Sequence, residues 1–293
     1  MSVLDRRLVY VTGKGGVGKT TVAVALALAG AAQGKRTLVC EVSEQRHTAR
    51  LFADRDAGAV DTITVDPTEA LQEWLGKQVG GPALKVLSRS QAFGYFVAAA
   101  PGAKELITIA KIWELSQDTR WSGEAGSYDL VVVDAPASGH GVAMLRAPDT
   151  FGAIAPGGPI RRQAHKVRDM LRDEQRTGFV AVTTAEEMPV NETLEFQDKF
   201  VEAIGRDPDV IIANGLYPER LSADERTALE PFAERPNVQA ALTVDDRARA
   251  QRTHLRRLRR AARPPVVTLP YLFTDELDVE ALTALGLRLG PRV

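Results

Sequence analysis

At 293 residues, with 44% hydrophobic and 26% charged side chains, the chain has the make-up of an ordinary globular protein large enough to bury a sizeable core. Its 37 basic and 38 acidic side chains leave a net charge of −1, so no global field draws it to nucleic acid or an anionic membrane. A single cysteine, Cys40, excludes an internal disulfide and a thiolate zinc site, and no apolar run is long enough to span a bilayer. The charged start, Asp5-Arg6-Arg7, carries no signal-peptide pattern, so a cytoplasmic protein is expected.

In chain order, the first predicted strand, 8–11, runs into Gly13-Lys14-Gly15-Gly16-Val17-Gly18-Lys19-Thr20, a G-x-x-x-x-G-K-[ST] pattern. The glycines let main-chain N–H groups converge on an anion without a Cβ in the way. The Ala-, Val- and Leu-rich stretch 17–32 predicts a helix whose amino end adds a positive dipole. Strand, loop and helix together mark a phosphate-binding loop. Gly13, Gly15, Gly16, Val17, Gly18, Lys19, Thr20 and Thr21 are expected to bind a nucleotide. Lys19 is placed at the β- and γ-phosphates and the Thr20 hydroxyl on Mg²⁺.

Further strands are predicted at 37–42, 130–134, 179–183, 210–213 and 266–269, alternating with helical stretches. Such alternation gives an α/β fold, a mainly parallel doubly wound sheet with ligands at the carboxyl ends of its strands. All of 1–293 is read as one domain. Helical elaborations over that edge are expected at about 68–123 and 150–176, the second a proline- and glycine-punctuated loop leading to a basic helix. Asp134 ends a hydrophobic strand downstream of the phosphate loop, where a carboxylate holds Mg²⁺ together with Thr20. Cys40 sits in an apolar run and is expected to be a buried strand residue.

A second lysine, Lys14, gives the loop the form G-K-G-G-V-G-K-T-T, which resembles the deviant Walker A class of ATPases. In that class the first lysine reaches across a dimer interface to the partner's nucleotide. Asp134-Ala135-Pro136-Ala137-Ser138-Gly139-His140 is similar to the switch motif of the arsenite-pump and tail-anchored-protein targeting branch. The resemblance implies ATP and Mg²⁺ as ligands, Gly139 as a donor to the γ-phosphate, and a dimer of like or unlike ATPase subunits acting on a protein client. His140 then either transmits the nucleotide state or is structural. Weaker matches follow in order. They are Pro101-Gly102-Ala103-Lys104-Glu105, Thr184-Ala185-Glu186-Glu187, Asn191-Glu192-Thr193, Asn214 as the adenine reader, and Pro270-Tyr271-Leu272-Phe273 as the adenine-side loop.

The chain departs from that branch after its second strand. Ser43 stands where the branch has the aspartate that orients the attacking water, and a serine hydroxyl is a poor base at neutral pH. Glu44, or else Glu41, takes that role, or hydrolysis is slow. With one cysteine the chain lacks the thiols of metalloid binding, of a dimer-bridging zinc and of an iron–sulfur cluster. The arginine-rich stretch 247–263, with Leu255 and Leu258 as its apolar stripe, predicts a basic amphipathic helix. It is read as a solvated face; nucleic acid and membrane are not expected partners. The segment 92–98 is apolar, and either packs on the core or lines a client groove. The expected function is a Mg²⁺-dependent ATPase that switches a dimer. Two alternatives stand beside it: a nucleotide-binding interaction protein with little turnover, and a partition- or septum-type ATPase.

Overall fold

Leu8 and Tyr10 on one face of the first strand and Val9 and Val11 on the other are all fully buried, as a strand covered on both sides requires. The computed structural model describes residues 2–42, 48, 60–79, 102–121, 127–274 and 276–293. Its seven strands are β1 (Leu8–Gly13), β2 (Thr37–Glu41), β3 (Val60–Thr64), β4 (Leu130–Asp134), β5 (Thr177–Thr184), β6 (Val210–Leu216) and β7 (Val266–Pro270). They lie in the order β3-β2-β4-β1-β5-β6-β7, and every neighbouring pair is parallel. The fold is therefore an α/β doubly wound sheet of the phosphate-loop type. The strand order reverses direction around β1, which opens a crevice at the carboxyl ends of β1, β4 and β5.

The helices divide between the two faces of the sheet, beginning with α1 (Lys19–Ala32). On one face α1 packs with α9 (Val279–Leu289), where Leu282, Leu285 and Leu289 share a buried cluster with Val22 and Leu26 over the side that carries Val9 and Val11. Contact is close enough that a Cβ on Gly286 would lie 2.3 Å from the Ala25 carbonyl oxygen. The other face carries α3 (Ala103–Leu115), α4 (Ser138–Ile154), α5 (Gly158–Arg172), α6 (Glu187–Ile204) and α8 (Pro236–Ala261). Here Phe200 packs edge-on to Phe179, with ring centroids 5.0 Å apart. Two further helices, α2 (Pro67–Val79) and α7 (Ala223–Leu229), complete the described set.

Three details differ from the sequence reading. A seventh strand, β3, pairs with β2 at the sheet edge. Its sequence, Val60-Asp61-Thr62-Ile63-Thr64, is mostly polar because an edge strand is incompletely covered, and every residue but Val60 keeps some exposure. The segment beginning at Thr150 is not a loop, since α4 continues through Pro148 to Ile154. Met144, Leu145 and Ala147 are buried against the core, and that packing outweighs the hydrogen bond lost at the proline. The basic helix begins earlier than expected, at Pro236, and its predicted stripe residues Leu255 and Leu258 are buried. Cys40 is fully buried in β2, and burial pushes its thiol up to about 12, so it stays protonated at neutral pH.

Candidate active site

The phosphate loop leaves the end of β1 and enters α1 through Gly18, whose φ of 90° places it in the left-handed region. Gly13 (φ 147°) closes β1 in register with Val182 of β5, and a Cβ there would lie 2.2 Å from the Val182 carbonyl oxygen. Only glycine fits, because two parallel main chains approach at this point. Lys19, Thr20 and Thr21 form the first turn of α1, so three N–H groups that lack helical partners open beneath the loop.

Below that turn the Thr20 hydroxyl donates to Asp134 Oδ2 at 2.6 Å, although the two residues are 114 positions apart in sequence. Lys19 Nζ donates to the Lys14 carbonyl at 2.8 Å and so spans the loop. Burial lowers the Lys19 pKa and the Asp134 charge opposes that shift. The arrangement fits a hard divalent cation, since a hydroxyl and a carboxylate oxygen converge at the head of α1. Among the described residues no group of three or more His, Cys, Asp or Glu could hold a metal by itself.

Lys14 forms an ion pair with Glu192 Oε1, in the second turn of α6 of the same chain. The second Glu192 oxygen is buried and has no hydrogen-bond partner among the described residues. Gly139, exposed in the first turn of α4, faces Glu192 across a cleft of about 310 Å³. His140 is exposed on the same turn. Asp134 and Glu41 are register partners in β4 and β2. Glu41 is buried and accepts from the Thr48 hydroxyl at 2.6 Å and the Thr48 N–H at 3.2 Å. Ser43, Glu44, Pro101 and the segment 92–98 lie outside the described residues. Of the motif at 101–105, Gly102 caps α3 in the left-handed conformation with Glu105 in its first turn.

On the far side of the loop Asn214 Nδ2 donates to the Val17 carbonyl at 3.0 Å. Asn214, Tyr217, Tyr271 and the α8 residues Arg247, Gln251 and His254 line a cavity of about 570 Å³ that is continuous with Gly16–Gly18. Pro270 ends β7 beside Leu216, and its neighbour Tyr271 forms part of the wall. The sequence reading passed over Tyr217 and Gln251. Gln251 stands in a helix noted for its arginines, and Tyr217 lies two residues beyond Gly215, past the apolar run of its strand. Within the chain Arg249 of that helix pairs with Asp245 at 2.6 Å and Arg252 with Glu219, and Arg263, just beyond the helix, pairs with Asp198 and Asp207, both at 2.8 Å. Among the described residues no helix is long and apolar enough to cross a membrane.

The model of the anion-transporting ATPase family matches residues 6–155 and 160–244. An ATPase named BagA from Mycobacterium tuberculosis is 31% identical over 251 residues, covering 80% of this chain and 73% of that protein. The arsenical pump-driving ATPase of Escherichia coli is 25% identical over 254 residues, covering 75% of this chain and 41% of the pump protein. The ATPase GET3C of Arabidopsis thaliana is 24% identical over 249 residues, covering 66% and 63%. The family match spans β1, the loop, β4, the segment after Asp134 and strand β6. With its parallel sheet and glycine-rich loop, the chain belongs to the anion-transporting ATPase family.

Proposed function

We propose that the protein is a Mg²⁺-dependent ATP hydrolase whose nucleotide state switches a dimer of related subunits acting on a protein partner or cargo. The observation that carries this reading is the 2.6 Å contact between Thr20 and Asp134 directly under the glycine-rich loop. Gly13, Gly15, Gly16, Val17 and Gly18 supply main-chain donors, and Lys19 exchanges its bond to the Lys14 carbonyl for phosphate oxygens. Thr20 and Asp134 would hold a magnesium ion, which when bound would neutralise phosphate charge. Thr21 extends the cradle at the head of α1, Asn214 reads adenine, Pro270 with the residues after it forms the base-side edge, and Gly139 donates to the γ-phosphate. Water attacks in line, oriented by Glu44. Lys14 stabilises the charge that develops on the leaving group of a neighbouring subunit.

In this arrangement Glu192 holds Lys14 back. Glu192→Gln is expected to tighten ATP binding by up to about fivefold, the factor for an ion pair of about 1 kcal/mol at a partly exposed site. Titration calorimetry measures it; an unchanged or weaker affinity removes Glu192 as a restraint. For the reading as a whole, Asp134→Asn is expected to abolish the dependence of ATP affinity on added magnesium and to leave affinity in the chelator EDTA unchanged. Wild-type protein that releases no heat on ATP addition with magnesium present would overturn the nucleotide site itself.

A slow-turnover reading is supported by Ser43 at the usual aspartate position and by Glu41, which is engaged by Thr48. Single-turnover hydrolysis separates the two: a silent protein binds ATP yet releases no phosphate.

A further inference from the structure

The ladder between β6 and β7 is interrupted. Ile211 to Ala213 pair regularly, and pairing resumes at Leu216 after a register shift. Gly215, inside the break, has a φ of 71°, the left-handed region. A bulge of this kind re-aims the side chains beside it and leaves main-chain groups without ladder partners. One side chain meets both needs. Gln251 of α8 is only 7% exposed, accepts from the Tyr217 N–H at 2.8 Å and donates to the Gly215 carbonyl at 3.0 Å.

The braced segment is the wall of the cavity beside the phosphate loop. At its start is Asn214, tied to Val17. At its end Tyr217 stacks on Tyr271, with centroids 4.4 Å apart and an interplanar angle of 11°. Phe273 meets both rings edge-on at 5.7 and 5.1 Å. Arg247 and His254 stand one turn to either side of Gln251 on the same helical face and line the same cavity. A planar, hydrogen-bonding, aromatic-walled recess next to a phosphate cradle suits the base of a purine nucleotide.

We infer that Gln251 is a positioning residue for base recognition: its amide locks the main chain from Gly215 to Tyr217 so that Asn214 and Tyr217 are presented to the base. This deepens the ATP reading above and rests on it. Helix α8 thereby becomes a wall of the nucleotide site. An unbraced bulge samples several conformations, so the base contacts lose their pre-organisation while the phosphate cradle, built from β1 and α1, keeps its own.

The test is calorimetric titration of wild type, Gln251→Ala and Gln251→Glu with ATP, GTP and inorganic tripolyphosphate, magnesium present. Gln251→Ala is expected to weaken ATP about tenfold, to bring the ATP:GTP preference towards one, and to leave tripolyphosphate affinity unchanged. Gln251→Glu keeps the acceptor for Tyr217 but loses the donor to Gly215, so it falls between. Equal loss for all three ligands, or for none, overturns the inference while leaving the ATP reading intact. Failure of wild type to bind either ATP or tripolyphosphate refutes the ATP reading instead. Should Gln251→Ala not fold, hydrogen exchange on wild type decides. The Tyr217 amide is expected to be protected in the free protein, and further protected by ATP but not by tripolyphosphate; free exchange of that amide overturns the inference.

Discussion

Lys19→Met is expected to lower ATP turnover by at least about 100-fold, the scale for removing one pre-organised charge donor from a developing transition state. The side chain sits at the head of α1, where its ammonium is partly desolvated and close enough to Asp134 to feel its charge. A cation in such a position loses little further solvation when phosphate arrives, so its attraction is not spent on dehydration. Methionine keeps the length and the apolar stem but removes the charge and the 2.8 Å bond across the loop to the Lys14 carbonyl. The fold does not depend on that bond, because the sheet and α1 are held by Val9, Val11, Val22 and Leu26, all fully buried. The check is phosphate release at saturating ATP, with far-ultraviolet circular dichroism and the melting temperature as controls. Turnover within a few-fold of wild type in a folded variant would remove Lys19 from the chemistry.

Gly13→Ala is expected to have the largest effect on stability, about 2–4 kcal/mol, from overpacking together with backbone strain. Its Cβ would sit 2.2 Å from the Val182 carbonyl oxygen, and its φ of 147° lies in a region that L side chains rarely adopt. The obstacle is main chain in the two central strands, so no side chain can swing away to make room. Gly15→Ala is the internal control: among the described residues beyond its chain neighbours no atom lies within 4 Å of the added Cβ, and its effect on stability is expected within about 0.5 kcal/mol. Urea unfolding of the pair measures the contrast. Equal midpoints would mean that the β1–β5 contact is looser than this geometry. Gly15→Ala still bears on function, because its N–H belongs to the proposed cradle.

The large features were legible because they rest on local chemistry. A glycine-rich turn between an apolar run and an Ala-rich helix needs its own residues and little else, so the loop, β1 and α1 were readable together. Asp134 was readable for the same reason, as a charge closing a run of four buried apolar residues. The edge strand β3 was missed because its polar residues Asp61, Thr62 and Thr64 carry no two-sided apolar signal. The extent of α4 was misjudged at Pro148, where burial of its neighbours overrides a local breaker.

Taken alone, the sequence determined the fold class, the phosphate loop, the strand-end aspartate and the family resemblance, since each is written in contiguous residues whose propensities and donors act over a few positions. Tertiary structure decided what no local pattern encodes: that Thr20 meets Asp134, that Lys14 is held by Glu192, and that a glutamine of α8 takes over the hydrogen bonds a bulge in β6 gives up. These are meetings between distant segments, fixed by strand order and helix packing, and a polar side chain shows which partner it needs only once the backbone around it has lost its own.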